Sequence, residues 1–357
     1  MKNITVLVTG SGAPGIAGTL YSLRNNPNKQ PFKIVTTDIQ PKPVGCYLSD
    51  SFFQLPSPES ASYLGALRKV VEATQVRVIL PQTTREINVL SQNFGEVESW
   101  GVKLVLSDWD AIKKANDKYL ILKECEKNDV PCPDYRLVSS VGDLEDAIKS
   151  LGYPKKKVVV KPRISNGGRG VRIITNEDPS LDNYLAEKPN NMNSTLESFI
   201  SIFKDEERFP DLIVSEYLPG LEYTIDMFRS NDCSVVIPRS RDSIRSGISF
   251  QTTVDMQRED LIRYSKRLAD SIGLKYCFGF QFKLDKQGIP KVLESNPRVQ
   301  GTMVASTMAG FNMIYYSVMS AMGIDQVGDE GVNDRSVFKR FWGGIGTNQN
   351  GHEIGRI

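Results

Sequence analysis

Three separated stretches of the chain carry residue types that handle phosphate and a hard metal cation, at spacings that strands and turns can use. In VVVKPRISNGGRGV a strand pattern delivers Lys161 and runs into Asn166-Gly167-Gly168-Arg169-Gly170 before a second strand pattern. Glycines let backbone N–H groups approach phosphate oxygens, and a lysine on the adjoining strand supplies a point charge. No GK[ST] opens a helix here, so this is not a Walker A loop; a plain glycine-rich hairpin is the competing reading. In VSEYLPGLEYTID a strand ends in Glu216-Tyr217-Leu218, a turn falls at Pro219-Gly220, and Glu222 begins another strand. Such a linker can offer backbone groups to an adenine edge while the carboxylate accepts ribose hydroxyls; a solvated edge-strand carboxylate fits Glu222 equally well. In GFQFKLDKQGIPKVLESNPR, Gln281 lies in one strand and Glu294 and Asn296 in the next. Period-two spacing puts Glu294 and Asn296 on one face. One carboxylate and two amide oxygens are the hard-oxygen environment magnesium takes beside a nucleotide. Burying such a cluster unpaired would be costly, which argues against a core role. Arg298 follows Pro297 within reach of the same anions.

Composition narrows the chemistry further. The 357 residues include 44 Lys+Arg against 42 Asp+Glu, a net charge of +2 that gives no reason to expect nucleic-acid or membrane attraction. The one histidine, His352, lies near the C-terminal end, which sets aside a triad on an internal histidine, a His-bound zinc or an imidazole relay in the core. Five cysteines (Cys46, Cys125, Cys132, Cys233, Cys277) are odd in number and contain no CxxC pair, against a disulfide framework or structural zinc. MKNITVLVTG enters a strand pattern directly, so a cytoplasmic location is expected. Val299–Ile324 carries no formal charge but is too polar for lipid; it predicts one or two buried helices broken at Gly310.

The elements that must position these residues are legible as patterns. The length suggests two or three domains. ITVLVTG, FKIVTTD, VRVILPQ and VKLVLS read as strands, alternating with helices in GIAGTLYSLR, YLGALRKVVEAT and REINVLSQNFGEVESW. That alternation predicts an α/β, doubly wound parallel sheet. DKYLILKECEKNDVPCPDYRLV then gives a helix, a turn at Val130-Pro131 and a strand. From about Asp143 the pattern becomes α+β: EDAIKSLGYP as a helix, KKKVVVKP and VRIIT as a hairpin-like pair, and LIVSEYL, EYTIDMF, SVVIPRS, GFQFKLD and KVLES as mostly antiparallel strands. The helix EDLIRYSKRLADSIGL is inserted among them. The polar stretch 176–211 predicts a mobile excursion with one amphipathic helix, LESFISIFK.

Gly10-Ser-Gly12-Ala-Pro-Gly15 fits GxGxxG between a strand and a helix, and Asp38 ends the next strand. Read literally, this is a dinucleotide fingerprint with Asp38 on a ribose. The plain alternative is a tight strand-to-helix turn whose glycines allow close packing.

Taken in order, DKYLILKECEKNDVPCP, VVVKPRISNGGRGV, VSEYLPGLEYTIDMF and FGFQFKLDKQGIPKVLESNPRVQGT make residues 116–325 resemble the ATP-grasp superfamily, specifically single-unit ligases similar to the carbamoyl-phosphate synthase large chain. Residues 1–115 resemble the Rossmann-like domain that precedes the grasp fold, and 326–357 would complete the grasp lobe, with about 130–215 as a mobile lid subdomain. The resemblance implies that Lys118 and Lys161 hold ATP phosphates, with the 166–170 loop closing over them. The linker after Glu216, with Tyr217 and Leu218, would bind adenine, and Glu222 the ribose. Gln281, Glu294 and Asn296 would ligate Mg2+, with Mn2+ an acceptable substitute, and Arg298 would steady the transferred phosphoryl group. Pro238–Gly247 resembles an Arg-rich substrate loop, which makes Arg241 and Arg245 expected contacts to a carboxylate or acyl-phosphate; a solvated basic loop is the alternative. One grasp unit and no amidotransferase signature do not imply carbamoyl phosphate synthesis. Gln281 stands in place of a second acid, which leaves the number of metal ions open.

The expected activity is an ADP-forming, ATP- and Mg-dependent ligase. It would join a small-molecule carboxylate to an amine (or a thiol) through an acyl-phosphate, with a homodimer as the expected assembly and no nucleic-acid or membrane partner. The competing readings are an NAD(P)-dependent oxidoreductase built on Gly10–Gly15 and Asp38, and a non-catalytic ATP-binding module.

Overall fold

The computed structural model describes residues 3–165, 167–176, 192–204, 206–325, 327–328 and 330–357. Five short strands build the first sheet, β-branched residues dominating the central ones: β1 (Ile4–Val8), β2 (Phe32–Asp38), β3 (Ser51–Gln54), β4 (Val78–Leu80) and β5 (Lys103–Leu104). All pair in parallel, in the order β3-β2-β1-β4-β5. Val6, Leu7 and Val8 of the central strand are fully buried, as a parallel strand covered on both faces requires. The helices Ile16–Arg24, Tyr63–Thr74 and Thr84–Gln92 connect the strands. The helix expected over REINVLSQNFGEVESW is two: Thr84–Gln92 and Phe94–Ser99. Asn93 separates them, its side-chain amide donating to the Val89 carbonyl at 2.8 Å and so satisfying the end of the first helix.

The chain divides into two compact units, one of Met1–Ala115, Leu221–Phe282 and Glu294–Ile357, the other of Asn116–Gly220 and Lys283–Leu293. The second unit holds β6 (Tyr135–Val138), β7 (Val158–Pro162), β8 (Arg172–Ile174), β9 (Asn193–Ser194) and β10 (Leu212–Glu216) in the order β6-β10-β7-β8-β9. β7 and β8 pair antiparallel with Val158 opposite Ile174, the hairpin-like unit expected there. Val138, Leu144, Ile148, Val158, Val160, Ile174 and Val214 form its core. Part of the predicted excursion, residues 177–191 and 205, lies outside the described residues; within the remainder, the helix Leu196–Ile200 is present, N-capped by Thr195.

Six further strands follow: β11 (Glu222–Arg229), β12 (Ser234–Arg245), β13 (Ile248–Val254), β14 (Tyr276–Leu284), β15 (Pro290–Asn296) and β16 (Val337–Lys339), ordered β15-β14-β11-β12-β13-β16. The helix Glu259–Ile272 lies between β13 and β14 in sequence. The uncharged stretch forms two buried helices, Val304–Met308 and Met313–Ala321, interrupted where Gly310 takes φ +116°. Val6, Val8 and Leu20 share one apolar cluster with Phe228, Phe311, Tyr315 and Tyr316, so the parallel sheet and this second sheet of the first unit have a common core. A short antiparallel pair, β17 (Ile345–Thr347) and β18 (Glu353–Arg356), follows. No helix among the described residues is long and apolar enough to cross a membrane. The architecture is α/β followed by α+β.

A buried ion pair organises the second sheet. Arg239 and Asp226 are both completely buried, and the guanidinium donates bidentately at 2.7 and 2.9 Å. Asp226 also accepts from Ser306 Oγ at 2.6 Å, and Arg239 donates to Thr252 Oγ1 at 3.0 Å. Removing one partner strands a charge in the core. Asp226→Ala is therefore expected to lower the unfolding free energy by about 3–5 kcal/mol, and Asp226→Ala with Arg239→Met to recover much of that loss. Urea denaturation of the two variants beside the parent measures both.

Candidate functional site

In the second unit the residues expected at phosphate stand on β7, on the segment that follows it and at the start of the helix Lys118–Lys127. Lys161, 6% exposed, stands on β7 opposite Ile213 of β10, and its Nζ donates to the Leu293 carbonyl at 3.1 Å. Lys118, also 6% exposed, opens the helix Lys118–Lys127; its Nζ donates to the Ser165 carbonyl at 2.6 Å and Oγ at 3.2 Å. The local reason is the helix cap. Asp117 accepts from the Tyr119 and Leu120 N–H groups and is clamped by Arg163, whose Nη2 lies 2.8 Å away. Arg163 also reaches Asp211 at 3.0 Å, so cap, strand end and loop are one ionic network. Two lysines thus bear on the stretch 161–170. Gly167, Gly168 and Gly170 take φ of +62°, +71° and +76°. A Cβ on Gly170 would sit 2.6 Å from Pro162 Cγ, so the turn needs glycine for both conformation and space. Asn166 lies outside the described residues.

The linker residues are in the same unit. Glu216 ends β10, pairs with Lys291 and accepts from the Asp134 N–H at 3.1 Å. Lys283 lies over the Tyr217 ring at 5.7 Å, Leu218 is buried, and the Gly220 N–H donates to the Leu284 carbonyl at 2.9 Å. Gly220 admits no side chain, since its Cβ would come within 2.7 Å of the Leu284 backbone. The Glu216 carboxylate is therefore a structural anchor of the linker.

In the first unit, Glu222 on β11, Arg241 on β12 and Gln281 on β14 come together across three neighbouring strands. Arg241, 8% exposed, donates to Glu222, to Ser249 Oγ at 2.9 Å and to the Gly247 carbonyl at 2.6 Å, and meets Gln281 Oε1 at 3.5 Å. On β15, Ser295 is buried while Glu294 and Asn296 are half-buried, the alternation expected of them. Asn296 Oδ1 accepts from Arg298 Nη2 at 3.1 Å, and Arg298 Nη1 donates to the Val299 carbonyl at 2.9 Å. Burial holds the Arg298 guanidinium below its ordinary range, with Glu294 opposing the shift, and its Nε is buried without a partner. Among the described residues no three His, Cys, Asp or Glu side chains converge as a metal cage. The set is one carboxylate and two amide oxygens, and both amide oxygens here face guanidinium cations.

The Arg-rich segment is not a loop. Pro238–Arg245 is the last eight residues of the twelve-residue β12, and only Ser246 and Gly247, at φ +48° and +75°, make the turn into β13. The resemblance implied a substrate loop, with a solvated basic loop as the alternative, but Arg239 is neutralised internally by Asp226 and Arg241 is tied down by Glu222, so the strand can bury both. Arg245 remains exposed near the hairpin tip, its guanidinium 4.7 Å from the Phe250 ring centre. The structure joins Arg241 to Glu222 and Gln281, and does not bring Arg245 to them.

The N-terminal glycine loop is fully used by its own fold. Asp38 Oδ2 accepts from the Gly12 N–H at 2.7 Å and Oδ1 from the Gln40 N–H at 2.9 Å, so one oxygen serves the glycine loop and the other the turn after β2. A Cβ on Gly15 would fall 2.9 Å from Gly301 Cα: that glycine permits backbone-to-backbone packing. These contacts oppose the dinucleotide reading. A residue the sequence reading passed over lies beneath the loop. Glu86, 5% exposed, accepts at Oε2 from Thr9 Oγ1 at 2.7 Å and Thr83 Oγ1 at 2.6 Å. The T-x-x-E spacing of a helix capping box was its visible signal.

Residues 208–339 match the family described as "ATP-grasp in the biosynthetic pathway with Ter operon", and residues 6–105 the "PylC-like, N-terminal domain". In these two stretches the chain is similar to an ATP-grasp domain and, ahead of it, to a PylC-like N-terminal domain. The carbamoyl phosphate synthase large chain of Thermotoga sp. (strain RQ2) is 26% identical over 274 residues, 72% of this chain and 23% of that protein. The chain therefore spans about a quarter of the length of such relatives. Among solved structures, N5-carboxyaminoimidazole synthetase from Staphylococcus aureus complexed with ADP superposes with TM-score 0.71 at 16% identity, covering 95% of this chain and 82% of that one. Biotin carboxylase from Campylobacter jejuni, in its β-γ-ATP complex, gives TM-score 0.70 at 18% identity, covering 97% and 77%. At these identities the two structures establish a shared fold.

Burial raises the Glu86 carboxyl from 4.5 to about 7, with the Asp38 charge adding to the rise and the two threonine hydroxyls opposing it. Above pH 4.5 the unfolded chain ionises Glu86 while the folded chain keeps the proton. The native state therefore loses stability as pH rises from about 4.5 to about 7, and the loss is flat above that. Glu86→Gln removes this titration. Its stability relative to the parent is expected to rise by about 3 kcal/mol between pH 4.5 and pH 8, read from urea midpoints at both.

Proposed function

We propose that the protein is an ATP- and magnesium-dependent ligase that joins a small-molecule carboxylate to an amine. The observation that carries this reading is the order of groups within an ATP-grasp chain: buried Lys118 and Lys161 at a glycine turn, then the purine-type linker, then Glu294, Asn296 and Arg298 on and after one strand. The donor set fits magnesium: one carboxylate and two amide oxygens leave coordination positions for water and phosphate. The amide oxygens of Gln281 and Asn296 already take cationic donors. Magnesium, when bound there, would neutralise phosphate charge and fix phosphate orientation.

The chain's own groups do the rest. Lys118, Lys161 and the amides of Gly167, Gly168 and Gly170 hold phosphate oxygens, and the turn closes over them as part of a lid within about 130–215. Backbone groups of Tyr217 and Leu218 take the adenine edge, and Glu222 the ribose, sharing its carboxylate with Arg241. Arg298 steadies the phosphoryl group in transfer. Arg241 orients the substrate carboxylate, and Arg245, exposed near the hairpin tip, is the second arginine we assign to it. A carboxylate oxygen attacks the terminal phosphorus and the bond to ADP breaks. The amine nitrogen then attacks the acyl carbon and phosphate leaves with the bonding pair, while the amine proton passes to phosphate oxygen or water. Positioning and charge neutralisation supply the catalysis, with no requirement for histidine. A cytoplasmic homodimer is the assembly we assign.

A coupled ADP-release screen over paired carboxylates and amines, with mass spectrometry of products, tests the activity. Glu294→Ala is expected to lower turnover by about 100-fold or more with the circular-dichroism spectrum unchanged. Near-parental activity of that variant at saturating magnesium sinks the metal assignment. A non-hydrolysable ATP analogue is expected to slow proteolysis at 167–170; equal cleavage with and without it removes the lid.

A further inference from the structure

We propose that Arg340 is a positioning residue for this reaction: it straps the turn that follows Arg298 to the N-terminal glycine loop. Its root is fixed. The Arg340 N–H donates to the Phe250 carbonyl at 2.7 Å, directly after the pairing of Gln251 with Lys339. From there the guanidinium reaches carbonyls from two distant parts of the chain, Pro14 through Nη1 at 3.1 Å and Gly301 through Nη2 at 2.8 Å. Those two segments already touch backbone to backbone at Gly15 and Gly301, and a Cβ on Gly18 would lie 2.8 Å from Val304 Cβ. Glycine permits the approach, and the guanidinium bridges the two carbonyls beside it.

The arrangement is an expensive way to pack. Among the described residues no carboxylate pairs with Arg340, its Nε is buried without a partner, and burial holds its guanidinium below the ordinary range. An uncompensated cation and an orphaned N–H both work against folding. What they secure is direction. The planar fork fixes two acceptors at once, which a lysine ammonium on its flexible stem cannot reproduce. The turn so held begins at Arg298, whose own guanidinium hydrogen-bonds to Val299 within it and back to Asn296 at the end of β15. Arg340 lies one residue beyond the stretch matched to the ATP-grasp family, and no sequence motif marks it.

The role rests on the ligase reading, in which Arg298 steadies the transferred phosphoryl group, so the test has one arm that needs no activity. Hydrogen exchange followed by mass spectrometry, on the parent, Arg340→Lys and Arg340→Ala without substrates, is expected to show about tenfold faster exchange in peptides covering 12–16 and 298–303 of the alanine variant. The lysine variant should fall between, and it serves alone if the alanine variant does not fold. Unchanged exchange in both peptides overturns the strap. In steady-state ADP release, kcat is expected to fall by about 10- to 100-fold while KM for ATP stays within about twofold. A raised KM with unchanged kcat overturns the positioning role. A parent protein that releases no ADP with any substrate pair defeats the ligase reading, and exchange then decides the strap by itself.

Discussion

Much of the first unit hangs on a charge pair that water does not reach. Asp226 and Arg239 face each other from adjacent strands at zero exposure, and the carboxylate also collects Ser306 and Gln300. Strand β11, strand β12 and the middle of the helix Val304–Met308 are thereby tied at one point. A buried pair of this kind is weak evidence for net stability but strong evidence for a specified arrangement, because every alternative register strands a charge. Gln300 reaches this pair by passing over Gly279 of β14, where any Cβ would collide with it. The residues proposed to handle metal and phosphoryl groups, Gln281 two positions beyond Gly279 and Arg298 two before Gln300, take their places from that packing.

The two units hold their charged groups differently. The second buries lysines and fixes a glycine turn, with an ionic network of Asp117, Arg163 and Asp211 holding the loop's base. The first gathers one carboxylate, amide oxygens and guanidinium groups on neighbouring strands. Near-neutral net charge is consistent with this. The cations that matter are paired or bonded locally: Arg241 with Glu222, Lys291 with Glu216, Arg298 with Asn296.

Legibility followed the range of the interactions involved. The β7–β8 hairpin, the alternation of Glu294 and Asn296 around buried Ser295, and the break at Gly310 rest on local periodicity and were readable directly. The division of the third helix at Asn93 was not, because Asn is an acceptable helix residue until its side chain turns back to cap Val89. Pro238–Gly247 misled for a related reason. Three arginines in ten residues look solvated unless their partners, Asp226 and Glu222, are known to lie on the adjacent strand. Glu86 showed itself only as a capping residue, since nothing local says that Thr9 will lie over it.

What the sequence determined by itself was therefore the inventory and its local geometry: strands alternating with helices, which residues share a strand face, where glycine must relieve the backbone, and the exclusion of internal histidine chemistry. Those follow from pattern and covalent stereochemistry within a few residues. Only the tertiary structure decided how each charge is spent. It turned Asp38 onto its own loop, set Gly15 against Gly301 instead of a pyrophosphate, sealed Arg239 in the core and left Arg245 outside. It also sent Arg340 across to Pro14 and Gly301. The contacts behind these outcomes join residues from 13 to 326 positions apart, and burial sets both the strength of such contacts and the protonation they impose.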